Sequence, residues 1–456
     1  MRILRASRRH PMRVLAGLCV PVLASLLLAC GADSDPAPSS DRVASQEPFP
    51  SFEPDRKPPP SEYDGPLFEL RQDYPAQMPP AGEMPGFFGT DFREDWRKYM
   101  MEAREYCLEG NTEVEWRVQE NKVRDWYHMP WQHPGRFGRE GIHGLTKEAP
   151  VQPFQLAIRQ SSSEGVAYAV GIYNDFGGYA IGQVWKDPEK PDPGYASTEG
   201  FPVGTVVCKP LFLNMKPEIV AEQIHFLENP VQWQAYTTST FGSEERAVRK
   251  VTLIQLDFMV RDERSPTGWI FGTFQYNGAH GSEDLWKNLV PVGMMWGNDP
   301  DYARGHQEDI AVTNSNGQFP RIGPLTSTPL NPELEETVVN PNSSELPATH
   351  LGWQGRLNGP VDNFLSSCMS CHMTASSPPE PLAPVLTEEQ ERPQSGTPEW
   401  DEWWLEWFEN VGWRNGALEK FRKAQYALDY SLQLSVGLRN FYEEEKNKES
   451  DTLLRR

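Results

Sequence analysis

Two cysteines three positions apart with a histidine directly behind them, Cys368-Met369-Ser370-Cys371-His372, constrain this 456-residue chain more than any other feature. Cys-x-x-Cys-His is the c-type haem attachment pattern, and its spacing has a mechanical reason. Thiols at this separation add to the two vinyl groups of one porphyrin, and the adjoining imidazole is delivered beneath the iron as axial ligand. Zinc would need a second close pair of ligands, and the chain has no other Cys-x-x-Cys. A thioredoxin-like dithiol would want a strand before it and a helix after it. Here Leu365-Ser366-Ser367 precedes, and Ser376-Ser377-Pro378-Pro379 follows closely. The expected cofactor is one covalent haem c, held by Cys368 and Cys371, with His372 on the metal.

Small electron-carrier cytochromes have this motif early and a ligating methionine well downstream. In this chain no histidine follows His372, and the sole later methionine is Met373, which sits next door and cannot reach the opposite face. A sixth protein ligand must come from upstream, or the iron is open to a small molecule.

The start of the chain fits export. Arginines occur at positions 2, 5, 8, 9 and 13, an apolar stretch runs from Val14 to Ala29, and it closes on Leu27-Leu28-Ala29-Cys30-Gly31. That ending is similar to a bacterial lipoprotein box, in which Cys30 becomes the lipidated first residue; the other reading is an ordinary secretory leader. Lipid anchors a chain to a membrane face without spanning it. The expected location is therefore the cell envelope, periplasm-facing or on the surface, with the outer membrane as the anchor. Cleavage deepens the net charge of −21 by those five arginines. Such a surface repels phosphate backbones, which excludes nucleic-acid binding through a basic face. No apolar run after the leader is long enough for a polytopic membrane protein. Cys107 and Cys208 could pair in an oxidising compartment or be separate core residues.

Composition divides the chain into a leader (1–29), an Asp-, Ser- and Pro-rich tether (30–62), an aromatic-rich segment (63–150), a β-rich haem domain (151–376), a Pro-rich linker (377–399) and a helical C-terminal segment (400–456). A helix is expected over 91–109. Strands are expected over 166–173, 204–209, 251–260 and 268–276, with 299–350 mostly loop. Leu418, Phe421, Ala424, Leu428, Leu432 and Phe441 fall near helical spacing. Trp400, Trp403, Trp404 and Trp407 read as core or a docking face. The class is α+β: an antiparallel sheet with flanking helices and a helical C-terminal extension.

The middle of the chain carries ordered phrases: Gly171-Ile172-Tyr173-Asn174-Asp175, Phe201-Pro202-Val203-Gly204-Thr205-Val206-Val207-Cys208-Lys209, Asp257-Phe258-Met259-Val260-Arg261-Asp262 and Thr267-Gly268-Trp269-Ile270-Phe271, then the haem motif. Together they resemble the mono-haem cytochromes whose c-type haem is cross-linked to a lysine and which oxidise hydroxylamine, and the related cytochromes c-prime-beta. The likeness spans about residues 166 to 372 as islands. It implies that Lys209 is the cross-linking lysine and that Asp257 stands for the distal carboxylate, usually Glu. Val170 occupies the position of the family's distal arginine, and the connection from Phe274 to Cys368 is much longer than the family's.

The residues can also be read on their own chemistry. On a strand, Thr205, Val207 and Lys209 share a face, with Val206 and Cys208 on the other. A lysine turned into an apolar wall would have its charged form disfavoured, leaving a nucleophilic amine; a lysine at a strand end would point to water. Asp257 shares a face with Leu253, Gln255 and Met259, where burial would raise its proton affinity and suit it to accept protons. Trp269 and Phe271, or Phe274 on the opposite face, could wall the haem or pack the core. His128, His133 and His143 with Glu140 and Arg139 could form a second metal site, supply a haem ligand or act structurally, and the structural role is favoured.

The resulting expectation is a lipid-anchored haem protein carrying out redox chemistry on, or binding, a small nitrogen or oxygen species such as hydroxylamine or nitric oxide. In the enzymatic reading Asp257 and Lys209 are the catalytic residues. A closed six-coordinate electron carrier and a non-catalytic gas binder are the rivals. Its partners are the iron's small ligand, a redox protein and the membrane; a homodimer is compatible with the sequence.

Overall fold

The computed structural model describes residues 59–454 except 133–137, 154, 158–159, 161–164, 306–324, 332–350, 364, 396 and 415. The leader, Cys30, nearly all of the tether, His133 and most of the 299–350 stretch lie outside the described residues.

One antiparallel sheet organises the protein. Its strands are β1 (Tyr127–His128), β2 (Thr146–Val151), β3 (Gly165–Ala169), β4 (Ile172–Tyr173), β5 (Val206–Leu213), β6 (Gln232–Thr238), β7 (Arg246–Arg261), β8 (Trp269–Tyr276) and β9 (Leu289–Met295). The path runs β1-β4-β5-β7-β8-β9, with β3 joining β2 to β5 and β6 pairing with β7. Among the described residues, 29% helix and 21% antiparallel strand make the protein α+β. The expected segment 166–173 is two strands, because the chain leaves the ladder between Ala169 and Ile172. The strand expected over 204–209 starts later and continues through Pro210 to Leu213. Strands β6 and β9 were not foreseen.

The central strands are buried almost throughout. Every residue of β8 is buried, and so is β7 from Val251 to Val260 except half-buried Asp257. In β5 the single half-buried residue is Lys209. Lys209 lies directly opposite Asp257 across β5–β7, and Asp257 lies opposite Thr273 across β7–β8. Directly opposed residues project to one face, so Lys209, Asp257 and Thr273 form a polar row across three core strands.

The other face packs on helix α1 (Trp96–Leu108), which starts after the expected Asp91 because Asp95 caps it, accepting from the Lys98 N–H. A disulfide joins Cys107 of α1 to Cys208 of β5. Helix α2 (Asp175–Val184) follows β4, capped by Asn174, whose side chain also accepts from Val206 N.

The haem motif forms helix α3 (Cys368–His372). It is followed by β10 (Ser376–Ser377), helix α4 (Pro398–Leu405), β11 (Trp413–Arg414), β12 (Ala417–Leu418), β13 (Tyr426–Ala427) and helix α5 (Leu432–Leu454). The helical reading of Leu418, Phe421, Ala424 and Leu428 does not hold. These side chains are buried, but they lie in turns and short strands, and the helix begins only at Leu432. The positive φ values of Arg422, Asp429 and Tyr430 explain why a helix cannot run through them. The Pro-rich stretch is packed as well: Ala383 and Thr387 are buried, and Pro381 accepts from the Trp407 indole. Among the described residues no helix is long and apolar enough to cross a membrane.

Candidate functional site

Helix α3 is five residues long and stands on a capping box. The Ser367 hydroxyl accepts from Ser370 N at 3.1 Å, and the Ser370 hydroxyl accepts from Ser367 N at 2.7 Å. This reciprocal cap satisfies orphan amides that so short a helix could not satisfy itself. Ser367 also donates to Asn298 at 3.3 Å, and Cys368 N donates to the Leu357 carbonyl.

Cys368 and Cys371 are free thiols. Burial pushes both pKa values up, that of Cys371 to about 11. A reactive redox dithiol needs the opposite shift. Cys371 Sγ contacts Ser366 Oγ at 3.1 Å, and Cys368 Sγ lies 3.7 Å from Thr273 Oγ1, at the end of the polar row.

The His372 ring is oriented from its Nδ1 side. Nδ1 lies 2.8 Å from the Tyr430 carbonyl, and the Phe271 ring is 4.9 Å away. A backbone carbonyl at Nδ1 puts the proton there and leaves Nε2 unprotonated, the nitrogen able to ligate a metal. Burial, aided by the Lys209 charge, lowers the pKa of His372 to about 4, so the ring is neutral near pH 7. Two unpaired thiols and a neutral imidazole with its far nitrogen tethered fit a c-type haem. Phe271 and Thr273 share a face of β8 by alternation, so one strand contacts both His372 and Cys368.

The polar row is a buried ionic network. Thr273 Oγ1 donates to Asp257 Oδ1 at 2.8 Å. Gln255 Nε2 lies 2.9 and 2.8 Å from the Asp257 oxygens and 3.0 Å from Asp362 Oδ2. Asp362 also accepts from Gly359 N at 2.9 Å. A Cβ at Gly359 would lie 2.1 Å from the Gln255 amide, so a side chain there would have to displace it. Burial and the neighbouring Asp362 charge push Asp257 up to about 7, against the pull of Lys209, Gln255 and Thr273. Asp362 is also raised, chiefly by burial.

Lys209 corrects one expectation. Its wall is not apolar: Nζ donates to Glu148 Oε2 at 2.7 Å, with Asp257 and Asp362 nearby. Burial disfavours the ammonium, but these three carboxylates outweigh it, and the lysine pKa rises. This pairing favours the ammonium over a neutral amine.

The remaining aromatic expectations divide. Phe271 meets His372; Trp269 donates from its indole to Asp429 at 2.8 Å; Phe274 packs on Phe258 across the other face. Among the described residues the upstream cluster does not converge on a metal site. His128 is buried, with Nδ1 accepting from Arg71 N, while His143 stacks on Trp233 with ring centroids 4.3 Å apart. Glu140 accepts from the backbone amides of Ile142, His143, Leu145 and Tyr236. Arg139 donates to the Gly144 and Met129 carbonyls. These groups hold a loop together, and His133 lies outside the described residues.

The sequence reading missed Glu148, Asp362 and Tyr430, and placed Gln255 beside Asp257 without giving it a role. Gln255 alone had a usable signal, its alternation with Asp257 on one strand. Asp362 and Tyr430 reach the site from loops, where no periodicity marks them. Comparison with family models, with curated proteins and with solved structures finds no match for this chain.

Proposed function

We propose that this chain is a lipid-anchored c-type haem protein that performs redox chemistry on, or binds, a small nitrogen or oxygen species at a single haem iron. The observation that carries this reading is the setting of His372. Its Nδ1 is engaged by the Tyr430 carbonyl, its ring is neutral, and two free thiols lie on the same helical turn. Haem bound by Cys368, Cys371 and His372 would supply an iron that exchanges electrons with the small molecule.

The chain's own residues supply the acid–base chemistry. Asp257, with a pKa of about 7, can take a proton from an N–H or O–H group and release it again near neutrality. Thr273 and Gln255 orient its carboxylate, and Asp362 keeps it basic. Lys209 offsets the accumulated negative charge. This network favours a reactive or ligand-binding site over a closed electron carrier, which has no use for a carboxylate titrating near neutral pH. The disulfide between Cys107 and Cys208 supports an oxidising compartment, as an exported protein requires.

The test is covalent haem and an accessible iron. Protein matured with a haem-attachment system should keep its haem after denaturation, and Cys368→Ala with Cys371→Ala should lose it. Nitric oxide or cyanide should shift the haem spectrum. Haem-free protein would refute the assignment, and a spectrum indifferent to both ligands would favour the carrier.

A further inference from the structure

Tyr430, whose carbonyl meets His372, sits in an unusual turn. Asp429 and Tyr430 are consecutive non-glycine residues with positive φ, 45° and 65°. Side-chain-bearing residues avoid this region, and two in a row persist only where the surroundings impose them. The imposing contacts converge on the Asp429 carboxylate, which is fully buried. Trp269 Nε1 donates to Oδ1 at 2.8 Å, and Phe201 N donates to Oδ2 at 2.7 Å. Arg261 Nε stands 3.7 Å from Oδ2. Gly200, at φ +68°, passes so close that a Cβ would lie 2.6 Å from Oδ2. On the far side the Tyr430 hydroxyl donates to the Val411 carbonyl, and Leu428 N donates to the Ala375 carbonyl, just beyond the motif. The turn is thus gripped by β8, by the end of β7, by the loop before β5 and by the chain leaving α3.

We propose that Asp429 is a positioning residue for the iron ligand: it holds the Asp429-Tyr430 turn so that the Tyr430 carbonyl orients and polarises the His372 imidazole, and thereby sets the reduction potential of the site. This rests on the haem reading above. A carbonyl accepting from Nδ1–H makes Nε2 a stronger donor and favours the ferric iron. Trp269 and Phe271 stand two apart on one strand face, so the same strand that walls His372 also fixes the turn behind it.

Asp429→Asn retains a residue that tolerates positive φ. It turns one acceptor oxygen into an NH2 group that faces the indole or the Phe201 amide. Asp429→Gly removes the strain at position 429 and both carboxylate acceptors, while Tyr430 keeps its positive φ. If the carboxylate positions the carbonyl, both variants should raise the haem reduction potential. The expected change is on the order of tenfold in the ferrous-to-ferric ratio at fixed ambient potential, about 59 mV for one electron. The iron–histidine stretching band should move to lower frequency in both. Trp269→Phe, which removes one donor and keeps a ring in the core, should give a smaller shift of the same sign and serves if the Asp429 variants do not fold. Haem-loaded variants with the parent potential and band would overturn this inference while leaving the haem assignment intact. A parent chain without covalent haem would overturn both.

Discussion

Burial and two neighbours of opposite effect, Asp362 and Lys209, set the proton affinity of Asp257, and single substitutions separate them. Asp257→Asn keeps the shape and removes the base, so turnover limited by proton removal should fall on the order of 10²-fold or more, with ligand binding at the iron retained. Hydroxylamine turnover equal to the parent's would remove Asp257 from the chemistry. In the parent, a reaction needing the ionised carboxylate should rise as pH passes about 7. Asp362→Asn deletes the charge that opposes this ionisation, and the acid limb should move to lower pH by on the order of one unit. Stability follows the same proton. Between about 4, the unfolded carboxyl's value, and about 7 the native state holds a proton that the unfolded chain has released. Because native Asp257 binds the extra proton, its contribution to stability falls as pH rises through that window. Asp257→Asn should flatten that part of the pH–stability curve, which denaturant titration reads directly. Lys209 is tested by mass. A cross-link of the kind the family resemblance implies yields a haem peptide joining residues around 209 to those around 368. Lys209→Leu would abolish that peptide and restore an ordinary haem c spectrum. A counter-ion to Glu148 gives no such peptide in the parent, and Lys209→Leu then changes the potential alone.

Element by element, the parts of the fold legible in the sequence are those whose pattern is local. Strands β7 and β8 read correctly because β-branched and aromatic residues fill them between Gly, Pro and Asp boundaries, and the alternation correctly put Gln255 with Asp257. Strand β5 was cut short because Pro210 reads as a breaker, although it keeps its place opposite Leu256. The C-terminal segment failed for a different reason. Leu418, Phe421, Ala424 and Leu428 have helical spacing, but their burial is set by contacts with residues far away in sequence, including β10 against β13. A period in apolar residues reports burial, and tertiary contacts decide the backbone that delivers it. Cys107 and Cys208 were left open for the same reason, since pairing depends on a distance no spacing reveals. That disulfide fixes α1 to the strand carrying Lys209, across a sequence separation of 101 residues. Cys107→Ser with Cys208→Ser should therefore lower stability by about 2–4 kcal/mol, measured by denaturant unfolding against the oxidised parent. An unchanged midpoint would mean that packing alone holds α1 on the sheet.

At the scale of the whole molecule, the haem reading requires that the chain be exported, and a lipid on Cys30 would then hold it at a membrane face. The segment from Gly31 to about residue 62 is rich in Asp, Ser, Glu and Pro and poor in large aliphatics. If the chain exchanges electrons with a partner protein, its net charge of −21 would favour a partner with a basic face. If Cys30 carries the lipid, Cys30→Ser should move the haem protein from the membrane fraction to the soluble fraction, with its spectrum and reduction potential unchanged. Reaction with a basic electron carrier should slow as ionic strength rises, in anchored and released forms alike, because the charge belongs to the folded domain rather than to the anchor. Continued membrane retention of the Cys30→Ser protein would assign attachment to the uncleaved apolar leader. The lipid would then have no part in holding the domain at the surface.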